Sequence, residues 1–221
     1  MPLPRLGKHL LWFATHKLGF WVFHLGWSYR CTGRRQLPDT GPALIVSNHQ
    51  SFIDPLLVGL IARRPLSYLA RHNLFKIPFF GALLREYGAF PIDRNLGKDG
   101  LQAVFEMLGR GEAVTVFAEG ERTHDGELQP LKPGIALLVK RADAPIVPCA
   151  IIGAFESWPR HAKRPALAPL FLPKSPGSIA VAFGEALPAG YYRTWHRDAI
   201  LKDLGERIAQ AALAAKAIQR K

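Results

Sequence analysis

An apolar run of β type, Ala43 to Val46, gives way at once to polar residues and then to a helical pattern. His49 lies in the polar stretch, and Asp54 lies just before the apolar residues of the helix, 55–62. This order predicts a strand, a loop that holds His49, and a helix that begins close to Asp54. In such a unit a carboxylate can bind one imidazole nitrogen while the other takes a proton from a substrate hydroxyl.

The pair of His49 and Asp54 also has a purely structural interpretation. A histidine can simply lie in a loop, and aspartate is a common capping residue where a helix begins. The spacing of the two residues therefore leaves catalysis open, and the rest of the chain must decide.

Alternating strand and helix patterns occupy most of the chain after residue 42. Strands are predicted at or within 43–46, 66–70, 88–94, 113–123, 146–152 and 179–183. Helices are predicted at 55–62, 97–110, 134–141 and in the C-terminal segment, where apolar residues at helical spacing predict a helix that covers the sheet. These elements predict a single α/β domain with a mixed sheet flanked by helices. The Pro- and Arg-rich connection 156–176 shows no pattern that assigns a structure.

The charge of the chain indicates an anionic partner. Lys and Arg number 29 against 17 Asp and Glu, which gives a formal net charge of +12. Such a partner can be nucleic acid, an anionic lipid surface or a phosphorylated substrate. No nucleic-acid-binding motif is present, which argues against the first. Two cysteines, Cys31 and Cys149, form neither a disulfide framework nor a zinc set, and they are predicted to be buried, inert thiols in a reducing compartment.

The N-terminal segment, residues 1–29, combines basic residues with aromatic ones and contains no acidic residue. Its longest uncharged run, 18–29, is too short to span a bilayer, and no small-residue cleavage site follows it. The composition predicts a helix, or a helical pair broken around Gly19, that lies in the headgroup region of a membrane. One alternative is an amphipathic helix whose aromatic residues pack on its own domain, and another is a single tilted span of the membrane.

A second group of polar residues follows the predicted strand within 113–123. Glu119, Gly120 and Arg122 come directly after its apolar residues. Ligands of open α/β sheets bind beyond the carboxyl ends of the strands. Gly120 permits a close approach of the backbone, so its amide is expected to face an anion.

Four segments, in the correct order, resemble the PlsC-like glycerophospholipid acyltransferases. They are 48–54, which contains the family's His-x4-Asp motif, and 88–94, 117–123 and 146–148. The segment 74–81 also fits the family's linker between the first two motifs. Two residues of the third motif depart from the family pattern: Ala118 stands where proline is usual, and Glu121 where a small or hydroxyl residue is usual. Before Leu74, Arg71 and Asn73 stand where lysine and glutamate are usual, and Arg71 keeps the positive charge.

The resemblance implies transfer of a fatty acyl group from an acyl thioester, acyl-CoA or acyl-ACP, to the free hydroxyl of a lysophospholipid. The expected acceptor is 1-acyl-glycerol-3-phosphate and the product phosphatidic acid. His49 is expected to be the general base and Asp54 to orient it. The acceptor hydroxyl attacks the thioester directly, without an acyl-enzyme, and no Gly-x-Ser-x-Gly nucleophile motif is present. No cofactor is expected beyond the thioester co-substrate, and no metal-ligand spacing occurs.

Five cationic or acidic side chains are expected at the acceptor site together with Gly120. Arg94 and Arg122 are expected to bind the phosphate, because arginine matches it bidentately. Arg71 and Lys132 are expected to assist, and Glu119 to fix an arginine or the loop.

Alternative functions remain open at this point. Glu121 and Ala118 leave room for another acceptor, such as glycerol-3-phosphate, a lyso-ornithine lipid or another lysophospholipid. A basic protein that binds membrane or nucleic acid without catalysis, and a lipase-like hydrolase, are less well supported. The preferred interpretation is a membrane-anchoring segment, 1–29, followed by an acyltransferase domain, 30–221. Its partner is an anionic lipid surface at the cytoplasmic face of the cell membrane, where the protein is peripheral or monotopic. The oligomeric state is not predicted.

Overall fold

The computed structural model describes residues 5–76, 78, 81, 84–85, 88–92, 97–173 and 177–220, with only the backbone described for 5–11 and 71. Seven strands lie in these ranges: β1 Arg30–Thr32, β2 Ala43–Ser47, β3 Ser67–Arg71, β4 Ala89–Ile92, β5 Ala113–Phe117, β6 Ile146–Ile152 and β7 Ala180–Phe183. The helices that we number are α1 Arg5–Trp27, α2 Asp54–Ile61, α3 Lys98–Gly109, α4 Pro133–Arg141, α5 Ala154–Ser157 and α6 Arg197–Ile218. Each predicted strand and helix is found within a few residues of its predicted bounds.

The strands form one sheet in the order β1-β7-β6-β2-β5-β3-β4. Strands β2 to β6 are all parallel to one another. Strand β7 runs antiparallel to β6, and β1 runs parallel to β7. The prediction of a mixed sheet flanked by helices is confirmed. We call the edge at which β2 to β6 end the carboxyl edge.

Side chains of β2 alternate between two hydrophobic cores, because successive residues of a strand point to opposite faces. Leu44 and Val46 belong to a core that contains most of the buried residues of α3, α4 and α6. Ala43 and Ile45 belong to a second core that contains α2, with side chains from the C-terminal half of α1 packed against it. The sheet is therefore the middle of three layers, which explains why the central strands read as continuous apolar runs.

The C-terminal helix α6 covers the sheet as its sequence pattern predicts. Its buried residues, Ile200, Leu204, Ile208, Ala211 and Ala215, recur at helical spacing, and the helix packs mainly on β6 and β7. The small Ala215 allows close contact with Ala180 and Ala182 of β7 in a minor core of its own.

Helix α1 continues without a break through Gly19, so the alternative of a broken helical pair is not observed. A Cβ atom at this position would lie 3.2 Å from Cδ2 of Leu60, so glycine permits α1 to pack closely on α2. Nε2 of His16 lies 3.1 Å from the carbonyl oxygen of Ala62, just past the end of α2, and burial lowers the pKa of this histidine. In the described part of the chain, no helix combines the length and the apolar character needed to cross a membrane.

The two cysteines are free thiols in strands β1 and β6. Burial raises the pKa of Cys31, and it raises that of Cys149 to about 12. Both therefore stay protonated near neutral pH, as expected of inert thiols.

Candidate active site

His49 and Asp54 meet at the carboxyl edge, just beyond the end of β2. Asp54 is the first residue of α2 and is fully buried, whereas the side chain of His49 is 17% exposed. Nδ1 of His49 lies 2.7 Å from Oδ2 of Asp54. The backbone N–H groups of Gln50 and Ser51 donate to the same oxygen, at 2.6 and 2.7 Å. A carboxylate oxygen surrounded by donors assigns the proton of the neutral imidazole to Nδ1, which leaves the lone pair on Nε2.

The loop that follows β5 holds the backbone of His49 on both sides. Oε1 of Glu119 accepts the His49 N–H at 2.7 Å, and the N–H of Thr123 donates to the His49 carbonyl at 2.8 Å. The imidazole stacks on the ring of Phe117, with centroids 4.0 Å apart and planes 16° from parallel. The first and third predicted motifs therefore form one structural unit, in which the position of the histidine is fixed by residues about 70 positions away.

Glu119 is buried within this unit. Its second oxygen, Oε2, accepts the N–H of Gln129 at 3.1 Å. Burial raises the pKa of Glu119 to about 7, although the N–H groups of His49 and Gln129 favour its ionised form. Its two hydrogen bonds thus connect the His49 loop to the loop that follows β5, which agrees with the expectation that Glu119 fixes a loop.

Three further polar side chains anchor the His49 loop. The side-chain amide of Asn48 donates to the carbonyl of Ile151 at 2.9 Å and accepts the N–H of Ile151 at 2.8 Å. It thus replaces the backbone groups of a neighbouring strand. Gln50 donates to Gly126 and accepts from Ala154, at the start of α5. The third, Ser51, donates its hydroxyl to the carbonyl of Trp158 at 2.7 Å. The roles of Asn48 and Gln50 were not predicted, because both partners are distant in sequence.

Gly120 has a left-handed backbone conformation, with φ of 71°. Its N–H donates to the carbonyl of Phe117 at 3.1 Å, so the amide takes part in the turn and the prediction that it faces an anion is wrong. The glycine still permits a close approach: a Cβ there would lie 3.1 Å from Cγ of Lys132. Lys132 is exposed, and Arg122 is partly buried in the same loop.

The remaining predicted site residues are located only in part. Arg71 ends β3, at the carboxyl edge, but its side chain is not described. Arg94 and Asp93 lie outside the described residues, as does most of the segment 77–87. The structure therefore brings His49, Asp54, Glu119, Gly120 and Lys132 into one region and does not locate the Arg94 side chain.

The two departures from the family pattern in the third motif, Ala118 and Glu121, can be located in the structure. The N–H of Ala118, which a proline would lack, donates to the carbonyl of Ser47 and extends the β2–β5 pairing up to the His49 loop. Glu121 is exposed, and its carboxylate lies 3.9 Å from both Nη1 of Arg160 and Nε2 of His124. Arg160 in turn contacts the imidazole of His124 at 3.0 Å. We call Glu121, His124 and Arg160 the rim cluster.

Comparison with known proteins finds one protein family to which the chain is similar. A family model described as Acyltransferase matches residues 28–152. The 1-acyl-sn-glycerol-3-phosphate acyltransferase of Bacillus subtilis is 32% identical over 122 residues, 54% of this chain and 60% of the relative. The chloroplastic 1-acyl-sn-glycerol-3-phosphate acyltransferase BAT2 of Brassica napus is 30% identical over 131 residues, 58% of this chain and 38% of the relative. The chain thus spans about half the length of these curated relatives.

A solved structure has the same fold. The crystal structure of the 1-acyl-sn-glycerophosphate acyltransferase PlsC of Thermotoga maritima superposes with a TM-score of 0.78 and 21% identity, and the match covers 100% of this chain and 86% of that chain. The sequence matches and this fold together confirm the resemblance predicted from the four motifs.

Proposed function

The chain belongs to the Acyltransferase family, and on that basis we propose that it transfers a fatty acyl group from an acyl thioester to the free hydroxyl of 1-acyl-glycerol-3-phosphate. The observation that carries the proposal is the hydrogen bond of 2.7 Å between His49 and the fully buried Asp54. A histidine held in this way at the carboxyl edge of the sheet is suited to general-base catalysis at a ligand site. The donor is acyl-CoA or acyl-ACP, and no resident cofactor takes part in the proposed reaction.

In the proposed mechanism Nε2 of His49 removes the proton of the acceptor hydroxyl while the oxygen attacks the thioester carbonyl carbon. The tetrahedral intermediate then collapses, its carbon–sulfur bond breaks, and the thiolate takes the proton back from the imidazolium. Asp54 stabilises the imidazolium between these two steps and keeps Nδ1 protonated. Because the acceptor oxygen is the nucleophile, no covalent acyl-enzyme forms.

We assign the acceptor phosphate to a group of basic residues. Arg94 and Arg122 bind it bidentately, Arg71 and Lys132 add positive charge, and Glu119 keeps the loop in place. The Arg122→Ala and Arg94→Ala variants are expected to raise the KM for the acceptor with little change in the KM for the thioester. An unchanged acceptor KM in both variants contradicts the phosphate assignment.

The rim cluster favours a second candidate acceptor within the same chemistry. Glu121 places a carboxylate beside Arg160, and such a pair suits a headgroup that carries both an amine and an anionic group. A lyso-aminolipid such as a lyso-ornithine lipid has this character. A panel of lysophosphatidic acid, glycerol-3-phosphate, lyso-ornithine lipid and lysophosphatidylethanolamine separates the two candidates by the relative kcat/KM. In the Glu121→Ser variant, activity on the amine-bearing acceptors is expected to fall selectively if they are the substrates.

We further propose that α1 anchors the protein at the cytoplasmic face of the cell membrane, as a segment 1–29 that precedes the acyltransferase domain 30–221. The inner face of α1 packs Phe20, Phe23 and Trp27 against the core. Its outer face exposes large apolar side chains: Phe13, Leu18, Trp21, Val22 and Leu25. A helix that is apolar on the face turned away from its own domain suits a bilayer surface. Deletion of residues 1–28 is expected to abolish flotation with anionic liposomes, and undiminished flotation contradicts this assignment.

The decisive experiment for the reaction class is thiol release from long-chain acyl-CoA in mixed micelles. Lysophosphatidic acid is added or withheld, and the wild type is compared with His49→Ala. Acceptor-dependent release is expected, with a loss of about 10²- to 10⁴-fold in the variant, the size of a general-base contribution. Release without acceptor indicates a thioesterase or lipase-like hydrolase. No release with any acceptor or with acyl-ACP, together with salt-sensitive binding to nucleic acid or membrane, indicates a binding protein.

A further inference from the structure

The segment 166–173 has no regular secondary structure, but it is bound firmly to the C-terminal end of α1. The N–H of Ala168 donates to the carbonyl of Gly26 at 2.9 Å, and the N–H of Leu170 to the carbonyl of Leu25 at 3.0 Å. The last carbonyls of a helix lack partners within the helix. The segment supplies two of these partners for α1, so its backbone position is set by the helix.

Side chains from elsewhere hold the same segment at further points. The indole N–H of Trp27 donates to the carbonyl of Ala166 at 3.0 Å, and the hydroxyl of Ser28 donates to that of Ala168 at 2.7 Å. At the other end, the guanidinium of Arg220 donates to the carbonyls of Pro169 and Leu172. The backbone of the segment is therefore fixed at both ends.

This fixed backbone exposes large apolar side chains to solvent. Phe171 is 78% exposed and Leu172 51% exposed. They follow Leu170, whose backbone N–H donates to the carbonyl of Leu25, an exposed residue near the end of α1. Large apolar side chains that the fold holds outward, in a contiguous patch, mark an interaction surface.

The charges beside this patch indicate which partner it fits. The stretch 160–173 contains three basic residues and no acidic one. Arg160, Lys163 and Arg164 are all exposed. Apolar and aromatic side chains flanked by cations are the pattern of segments that lie in the headgroup region of anionic bilayers.

The sheet topology places this patch at the carboxyl edge, where His49 lies. Strand β6 ends at Ile152, which pairs with Ala180 at the start of β7, and Ala180 pairs with Arg30 at the start of β1. The segment that leads into β7 and the end of α1 that leads into β1 therefore both reach the edge of the sheet that carries the active site.

We propose that the segment 166–173 is a second membrane-contacting element, which inserts Phe171 and Leu172 into the headgroup region of an anionic bilayer beside α1. The proposal rests on the membrane association proposed above for α1, and it is independent of the identity of the acceptor. With two contacts instead of one, rotation about the axis of α1 is restricted and the carboxyl edge faces the lipid surface.

The test compares full-length wild type with the double variant Phe171→Ser/Leu172→Ser. Partition is measured by flotation with vesicles of phosphatidylcholine alone and of equal parts phosphatidylcholine and phosphatidylglycerol. The matched control is Leu213→Ser, because Leu213 is 69% exposed on α6, a helix that belongs to the opposite face of the sheet. The partition coefficient of the double variant on anionic vesicles is expected to fall at least about tenfold, because the variant loses two apolar side chains that the bilayer would bury. The partition coefficient of the control is expected to stay unchanged.

The outcomes separate this inference from the proposals on which it rests. Equal binding of wild type and double variant overturns the proposed role of the segment and leaves α1 as the anchor. Wild type that fails to bind any vesicle overturns the membrane association itself. Activity on a short-chain, water-dispersed acceptor and thioester is expected to be the same in all three proteins. A loss of that activity in the double variant shows a structural role instead and also overturns the inference.

Discussion

Replacement of Asp54 by asparagine separates two roles that we propose for this side chain, which are to fix the tautomer of His49 and to stabilise the imidazolium. Oδ2 of Asp54 accepts from Nδ1 of His49 and from two backbone amides, those of Gln50 and Ser51. The NH2 group of an asparagine cannot take the place of this oxygen, because it would face two backbone donors of fixed direction. In Asp54→Asn the side-chain oxygen is therefore expected to stay there, and Nδ1 of His49 to remain protonated.

The magnitude of the effect follows from the charge alone. In a serine-protease triad the corresponding change lowers kcat about 10⁴-fold, because the wrong tautomer forms. Here the tautomer is retained and only the negative charge is lost. A carboxylate about 4 Å from an imidazolium contributes at most about 4 kcal/mol at an effective dielectric constant of about 20. A loss of about 2 to 4 kcal/mol corresponds to about 30- to 1,000-fold in kcat.

The assay combines kinetics with a direct readout of the tautomer. Thiol release at saturating substrates gives kcat for wild type, Asp54→Asn and Asp54→Ala, and ¹⁵N chemical shifts of labelled histidine report which ring nitrogen of His49 is protonated. Asp54→Ala is expected to be the more damaging variant, because it also leaves buried N–H donors without an acceptor, at about 1–3 kcal/mol each. An Nε2-protonated His49 in Asp54→Asn, with a loss near that of the triad, refutes the reasoning.

Three further predictions concern the residues that support this pair. Burial raises the pKa of Glu119 from 4.5 to about 7, so the folded protein holds a proton in this range that the unfolded chain has released. The free energy of unfolding of wild type, relative to Glu119→Gln, is therefore expected to fall as the pH rises from about 4.5 to about 7. Urea denaturation at several pH values measures this difference, and a rise with pH contradicts the prediction. Gly120→Ala is expected to destabilise the fold by about 1 to 2 kcal/mol, because φ is positive there; an unchanged urea midpoint counts against the strain. Asn48→Asp places a carboxylate against the carbonyl of Ile151 and is expected to cost about 1–3 kcal/mol, whereas thermal unfolding equal to wild type shows that this amide pairing is dispensable.

The fold was largely predictable because its elements carry local signals. Buried strands such as β2, β5 and β6 read as apolar runs, and α6 repeats its apolar residues at helical spacing. The strand order was not predictable, since strands that are neighbours in the sheet, such as β2 and β5, are distant in sequence: Ala43 pairs with Ala113. The conformation of the segment 166–173 was not predictable for the same reason, because it is set by hydrogen bonds to α1 and Arg220 and the segment has no periodicity of its own.

The residues of the candidate site were easier to predict from the sequence than the contacts between them. His49 and Asp54 are close in sequence and only a short loop separates them, so the sequence predicts that their side chains meet where α2 begins. The hydrogen bond that the His49 N–H donates to Glu119 joins two loops that meet only because β2 and β5 are adjacent. The error at Gly120 has a local cause: a positive φ is compatible both with an anion-binding amide and with a turn whose amide is bonded internally, and sequence does not distinguish the two.

The reversed direction of β1 and β7 has a kinetic consequence. Because these two strands start where the other five end, the elements that we propose to contact lipid share one edge with His49, the proposed general base. An acceptor in the leaflet is therefore expected to reach His49 by lateral diffusion. The relevant concentration is then the mole fraction of acceptor in the surface. Dilution of the acceptor with inert lipid at constant bulk amount is expected to slow turnover, whereas dilution of whole vesicles with buffer leaves the rate of the bound enzyme unchanged. If both proposals hold, the enzyme is expected to act many times on one vesicle before it moves to the next.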